Sequence, residues 1–322
     1  MIARFAIIYF RCGYTIPPRK KENEMNIKVF PKGARVVFAG DSITNGNKYL
    51  CHIAEYYKSN LPELGVQFFN CGISGCSLGT LIAVFDRDIM YYEPTHIVLT
   101  IGVNDSGIGY LKDKNEDTYK NLAANYERYK ANLEKFAELC KKNNVILSLG
   151  TTFPYAEYQP GGSMLYPGGY ALVKHYADTV RAFAEKNGYE YCDYHPYLTR
   201  ELMFKELYRD DHVHPNPLGH YYIAKCFLES QGFTLESDAL SPEITEWNAK
   251  TQAVRNVFVA MYELTGLSIT VEEAKAKVEA FLETNEKSEK PNVYRGNLAR
   301  NFLRDYEKFD ENRAWLKAFK AK

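Results

Sequence analysis

The sequence has no surplus of charge of either sign: 40 lysines and arginines stand against 40 aspartates and glutamates in 322 residues. Nucleic acids and anionic membranes select a basic excess, so neither is an expected partner. Long apolar runs are missing too. No stretch reaches the roughly 18 residues that cross a bilayer. Cysteine is scarce and shows no pairing pattern. Cys12, Cys51, Cys71, Cys76, Cys140, Cys192 and Cys226 are odd in number and irregular in spacing, and none forms a Cys-x-x-Cys pair. That argues against a disulfide framework or a zinc knuckle and points to a reducing, cytoplasmic setting. Internal repeats and low-complexity tracts are absent. A signal peptide is not expected either. Residues 2–10 are apolar except Arg4, but Arg11 interrupts them and no small-residue cleavage site follows. Residues 1–24 are expected to lie outside the fold, with Met25 as an alternative start.

What is present is a regular alternation of elements. Val36, Val37 and Phe38 form a short β-branched and aromatic run that reads as a buried strand ending at Gly40. Further strands are predicted over 66–71, 96–101, 145–149 and 189–192. Between them lie helical patterns over 49–60, through Leu81, Phe85 and Ile89, over 118–142 and over 171–186, and a last one over 217–230 closes the series. The 118–142 helix carries Leu122, Tyr126, Tyr129, Leu133, Phe136 and Cys140 at spacings of three and four. Strands alternating with helices imply a parallel sheet covered on both faces. From about Pro242 the pattern is helical only. Val254, Val257, Phe258, Met261 and Leu264 make one apolar face, Thr270-x-x-Glu273 reads as a capping box, and a further helix carries Leu298, Phe302, Leu303 and Tyr306. These stripes are read as packing against the sheet domain or a second subunit, which would make the chain a homo-oligomer. A lid over the site is the other reading. The expected division is therefore an extension over 1–24, a catalytic domain over 25–235 and a helical extension over 236–322.

The polar loops after the strands hold the candidate chemistry. Gly40-Asp41-Ser42 follows the first strand, Gly72-Ile73-Ser74-Gly75 the second, and Gly102-Val103-Asn104-Asp105 the third. The glycines at 72, 75 and 79 do not reproduce the G-x-G-x-x-G of a dinucleotide loop. Asp211-His212-Val213-His214-Pro215 precedes the final helix of the alternation. A serine hydroxyl is a weak nucleophile near neutrality and needs a base held by a third group. An aspartate three residues before a histidine on a tight turn can supply that hold. Asp210 is the neighbouring alternative to Asp211, and Asp41 and Asp105 read as loop-ordering acceptors. A zinc site built on His212, His214 and His220 lacks a recognisable frame of ligands and base.

Together these stretches resemble the blocks of the SGNH, or GDSL, hydrolase family: Gly40-Asp41-Ser42, Gly75, Gly102-x-Asn104-Asp105 and Asp211-x-x-His214, in the family's order over roughly residues 34–231. The resemblance implies a flavodoxin-like three-layer α/β/α sandwich with a five-stranded parallel sheet, to which this chain adds its all-helical C-terminal extension. It assigns Ser42 as nucleophile, His214 as general base and Asp211 as the group orienting it. Ser42 and Gly75 supply backbone N–H groups, and Asn104 its side-chain amide, to an oxyanion hole. No cofactor or metal is implied. The expected substrate is a small-molecule or carbohydrate ester with a short acyl group. The Tyr-rich stretch from Phe153 through Tyr155, Tyr158 and Tyr166 to Tyr170 offers rings that stack on a sugar, or simply reflects 26 tyrosines in the chain. An acyltransferase using the same acyl-enzyme and a catalytically silent scaffold are the alternatives. An α/β-hydrolase is not favoured, since no Gly-x-Ser-x-Gly elbow is expected in the chain.

Overall fold

The computed structural model describes residues 26–160, 166–266 and 270–319; the expected N-terminal extension falls outside them. In chain order the main elements are β1 (Arg35–Gly40), α1 (Ser42–Asn45), α2 (Lys48–Asn60), β2 (Gln67–Gly72), α3 (Leu78–Ala83), β3 (His96–Thr100), α4 (Glu116–Lys142), β4 (Ile146–Gly150), α5 (Gly169–Asn187), β5 (Tyr191–Cys192), α6 (Tyr194–Leu202), α7 (Pro217–Ser230), α8 (Pro242–Ala260), α9 (Val271–Glu286), α10 (Val293–Tyr306) and α11 (Phe309–Ala318). The five strands form one parallel sheet of order β2-β1-β3-β4-β5, the flavodoxin-like order. The fold is the expected three-layer α/β/α sandwich with a helical C-terminal region. Among the described residues, no helix is long and apolar enough to cross a membrane.

The described chain divides into two compact units, one holding the residues up to Phe30 with His96–Asp238, the other Pro31–Thr95 with Ala239–Lys322. In the first, β3 is buried along its whole length, as expected of a strand covered on both faces. It pairs with β4 from His96 opposite Ile146 to Thr100 opposite Gly150. Helix α4 starts on a capping box in which the Asn115 side chain accepts from the Thr118 N–H. Tyr129, Leu133, Phe136 and Cys140 of its predicted stripe are buried. Strand β5 is shorter than predicted because Gly188, in the left-handed region, caps α5 and leaves Tyr189 hydrogen-bonded back to Ala184. Helix α6 follows at once and tolerates Pro196 because it lies in the first turn.

His195, on α6, is buried, and its Nε2 takes no hydrogen bond among the described residues. Burial, followed by the charges of Lys174 and Arg181, pulls its pKa down to about 3. The folded chain therefore keeps this imidazole neutral while the unfolded chain protonates it near pH 6.5. Stability is full above that value and falls as pH drops through the window between 6.5 and 3, by about 1.4 kcal/mol per pH unit from this group. Thermal melts of His195→Phe should depend less steeply on pH between 6 and 4 than those of the wild type.

In the second unit β1 and β2 pair in parallel from Arg35 opposite Gln67 to Gly40 opposite Gly72. Helices α8 to α11 complete this unit. The predicted capping box is present: Thr270 Oγ1 accepts from the Glu273 N–H at 3.1 Å, and Glu273 Oε2 from the Thr270 N–H at 2.9 Å. Val254, Val257, Phe258 and Met261 are buried as the stripe requires.

Candidate active site

In the second unit the nucleophile candidate sits on a short, tightly held helix. β1 ends at Gly40, and Asp41, buried, accepts from the Ile43 N–H at 3.0 Å as the N-cap of α1. Ser42 is the first residue of that helix and half-buried. Behind it a polar network runs through Asn70. Its side-chain amide donates to Thr44 O at 2.6 Å and Asn47 Oδ1 at 2.9 Å, and its Oδ1 accepts from the Gly72 N–H at 2.8 Å. The Asn45 amide donates to Ser74 Oγ at 3.1 Å, tying α1 to the loop that carries Gly75. A lone asparagine inside the apolar Gln67–Gly72 strand is the sequence signal for this network, and pattern reading passes over it.

Two glycines in this loop are required for different reasons. A Cβ at Gly72 would lie 2.2 Å from Asn45 N and 2.7 Å from Thr44 C, both backbone atoms. Gly72→Ala should therefore cost about 3 kcal/mol, the upper end of overpacking effects, seen as a lowered thermal midpoint. Gly75 has φ of +74°, a conformation that L side chains rarely adopt. It is exposed.

Helix α8 braces the same loops with polar residues that the apolar-stripe reading missed. Asn248 Oδ1 accepts from the Asn47 amide at 2.9 Å, the Gln252 amide donates to Asn45 O at 2.9 Å, and Arg255 Nη1 donates to Gly72 O at 3.3 Å. Their spacing of four and three puts all three on one face of the helix. Arg255 is fully buried and lies over the Phe258 ring at 4.5 Å.

In the first unit, the loop after β3 is fixed by side chains beneath it. Tyr129 and Thr152 donate to Ile101 O at 3.1 and 3.0 Å, and Tyr176 donates to Asp105 O at 3.3 Å. Asn104 is exposed and Asp105 is buried. The turn before α7 brings Asp211 and His214 together. Asp211 Oδ2 accepts from His214 Nδ1 at 2.7 Å, while Oδ1 accepts the N–H groups of Val213 at 3.0 Å and His214 at 2.8 Å. Asp210 is exposed. Burial works against the Asp211 charge, but the His214 amide, the His214 ring and the Val213 amide outweigh it and hold the carboxyl below its usual range.

His212 adopts φ of +60°, which is uncommon for a residue other than glycine. Its ring nitrogen Nδ1 pairs with Ala156 O at 2.8 Å, and its own carbonyl accepts from the Ala156 N–H at 2.9 Å. Among the described residues, no group of three His, Cys, Asp or Glu is placed to hold a metal ion. Val213, between the two site residues, packs on a cluster of Val103, Ile108, Leu111, Tyr155 and Val173. The turn bearing His214 and the loop bearing Asn104 thus share one apolar support.

The Tyr-rich stretch differs from its sugar-stacking expectation. Phe153, Tyr155 and Tyr170 are buried as core, and Tyr155 accepts from the Tyr166 N–H at 2.8 Å. Tyr158, half exposed, is the ring of this set left open to solvent; residues 161–165 lie outside the described residues. Gly75-Cys76-Ser77-Leu78-Gly79 has the letters of a Gly-x-Ser-x-Gly elbow. Ser77, however, is the extended N-cap of α3, with φ of −99° and ψ of 170°, and not the strained strand-to-helix turn of an elbow.

Residues 38–222 match the GDSL-like Lipase/Acylhydrolase family. An acetylxylan esterase of Geobacillus stearothermophilus is 26% identical, the match covering 62% of this chain and 95% of that protein. Among solved structures, a gut microbial diltiazem-metabolizing enzyme superposes with a TM-score of 0.68 at 17% identity, over 92% of this chain and 97% of its own. A catalytic mutant of Axe2, an acetylxylan esterase from Geobacillus stearothermophilus, superposes with a TM-score of 0.54 at 24% identity, over 65% and 98%. The two superpositions show a shared fold. The family match spans more than half of the sequence and takes in Ser42, Gly75, Asn104, Asp211 and His214, and on that ground the chain belongs to the GDSL-like lipase/acylhydrolase family of ester-hydrolysing serine hydrolases.

Proposed function

We propose that the chain is an esterase that removes short acyl groups, acetyl foremost, from a carbohydrate through Ser42, His214 and Asp211. The observation that carries this reading is the Asp211–His214 pair. One carboxylate oxygen is held by two backbone amides and the other accepts a hydrogen bond from His214 Nδ1–H. That fixes the imidazole and leaves Nε2 as the basic nitrogen. The acetylxylan esterase relative supports the acyl group and the carbohydrate. The lack of a long apolar segment near the motifs supports a short acyl chain.

In the proposed cycle Ser42 Oγ attacks the ester carbonyl as His214 Nε2 takes the hydroxyl proton. The tetrahedral oxyanion is held by the N–H groups of Ser42 and Gly75 and by the Asn104 amide. Collapse breaks the bond to the alkoxide, which leaves as an alcohol carrying the proton from His214. Water then adds to the acyl-enzyme by the same route, releasing the acid and restoring Ser42. Asn104→Ala removes one oxyanion donor and should lower kcat by about 100- to 1,000-fold, measured with a chromogenic acetate ester.

A panel of esters of rising acyl length together with acetylated sugars tests the reading, with and without acceptor alcohols. Acetate esters should give the highest kcat/KM, with acid rather than transferred ester as product. Preference for long chains, or transfer outrunning hydrolysis, would contradict it.

A further inference from the structure

Just past helix α8 the chain makes a π-helical turn, Met261–Thr265, a form frequent at functional sites and shared here with Phe85–Ile89. This turn presents Tyr262 and Glu263, both half-buried, to the Gly75 loop within the second unit. A Cβ built on Gly75 would lie 3.5 Å from Glu263 Oε1 and 4.0 Å from Tyr262 Cε1. The turn is held in place: Arg295 donates to Glu263 O at 2.6 Å, and Thr265 Oγ1 donates to Met261 O at 3.0 Å. Tyr294 stands nearby on α10 and is exposed. Partial desolvation of its hydroxyl, and after it the Glu263 charge, push its phenol up.

Among the described residues, the Glu263 carboxylate takes no hydrogen bond or ion pair, and the hydroxyls of Tyr262 and Tyr294 take no hydrogen bond. An unpaired carboxylate is a poor neighbour for a group expected to stabilise an oxyanion, because like charges repel. It is an equally poor neighbour for an apolar acyl chain. It suits a ligand that brings its own hydroxyl donors. Aromatic rings beside a carboxylate offer an apolar face and polar tips to the same ligand.

We propose that Glu263 and Tyr262, with Tyr294 beside them, are the specificity-determining residues that bind the sugar moiety of an acetylated saccharide next to Gly75. The inference rests on the esterase reading above. It also gives the helical extension a role in substrate selection, since all three residues belong to it. Glu263 accepts hydrogen bonds from sugar hydroxyls, and the tyrosine rings cover a sugar face.

The test compares kcat/KM for acetylated xylo-oligosaccharides with kcat/KM for 4-nitrophenyl acetate in the full chain, as wild type, Glu263→Ala, Glu263→Gln and Tyr262→Ala, with Ser42→Ala as control. The saccharide-to-small-ester ratio should fall at least tenfold in Glu263→Ala and in Tyr262→Ala, mainly through a higher saccharide KM. The isosteric Glu263→Gln, which guards against misfolding, should lower it in the same direction. A ratio within twofold of wild type in the folded variants would overturn the inference and leave the esterase reading standing. Ester hydrolysis absent from the wild type, or undiminished in Ser42→Ala, would overturn the esterase reading and this inference with it.

Discussion

Ser42→Ala should lower kcat on acetate esters by about a millionfold, the scale seen when a serine hydrolase loses its nucleophile. The loss is expected to be chemical and not structural. The hydrogen bonds that hold α1 include those of the Asp41 carboxylate with Ile43 N–H, of the backbone, Asn45 N–H to Asp41 O and Gly46 N–H to Ser42 O, and of the Asn70 and Gln252 amides with Thr44 O and Asn45 O. These bonds remain in place in Ser42→Ala, so the thermal midpoint should stay close to that of the wild type. Rate acceleration remaining in the variant should come from the oxyanion donors and substrate binding alone, about 1,000- to 10,000-fold over water. Initial rates at saturating ester, corrected for spontaneous hydrolysis, measure both quantities.

Asp211→Asn should have the second largest effect, a fall in kcat of about 10,000-fold with KM little changed. An amide at this position can still touch His214 Nδ1, but it can do so as a donor. The ring would then carry its proton on Nε2, the atom that in the proposed cycle accepts one from Ser42. The carboxylate also accepts two backbone N–H groups of its own turn, so part of the local order depends on its charge. Its carboxyl is held below the usual range. It therefore stays ionised across the neutral range, and the stabilisation it gives the turn is lost only as pH falls through that depressed value. Its titration should not contribute to the pH–rate profile near neutrality. Asp210→Asn is the matched control. That side chain is exposed, and its replacement should change kcat/KM by less than about twofold.

The fold was largely legible because its signals are local. The apolar runs ending at Gly40, Gly72 and Gly150 each mark a strand, and the stripe from Tyr129 to Cys140 marks the buried side of α4. Helix α11 was missed because nothing punctuates the chain before it. Residues 307 and 308 are Glu and Lys, with no glycine or proline to separate Tyr306 from Phe309, and the break shows only in the Lys308 backbone. The Asp211–His214 pair was legible because three residues on one turn suffice to close it, with the family resemblance favouring Asp211 over its neighbour Asp210. The brace from α8 was not. Asn248, Gln252 and Arg255 stand about 200 residues from Asn45, Asn47 and Gly72, and no local pattern distinguishes a buried polar face from a solvated one. The same limit explains the tyrosines. Composition counts Tyr155 and Tyr170 alike with Tyr158, whereas burial separates core rings from an open one.

The central claim is that Ser42 is the nucleophile, and it is tested most directly by mass spectrometry of the protein after reaction with a fluorophosphonate. One adduct per chain, mapped to Ser42 and lost in Asp211→Asn over the same reaction time, is the predicted result. An adduct on Ser77 or another serine, or labelling of Ser42→Ala at the wild-type rate, would contradict it.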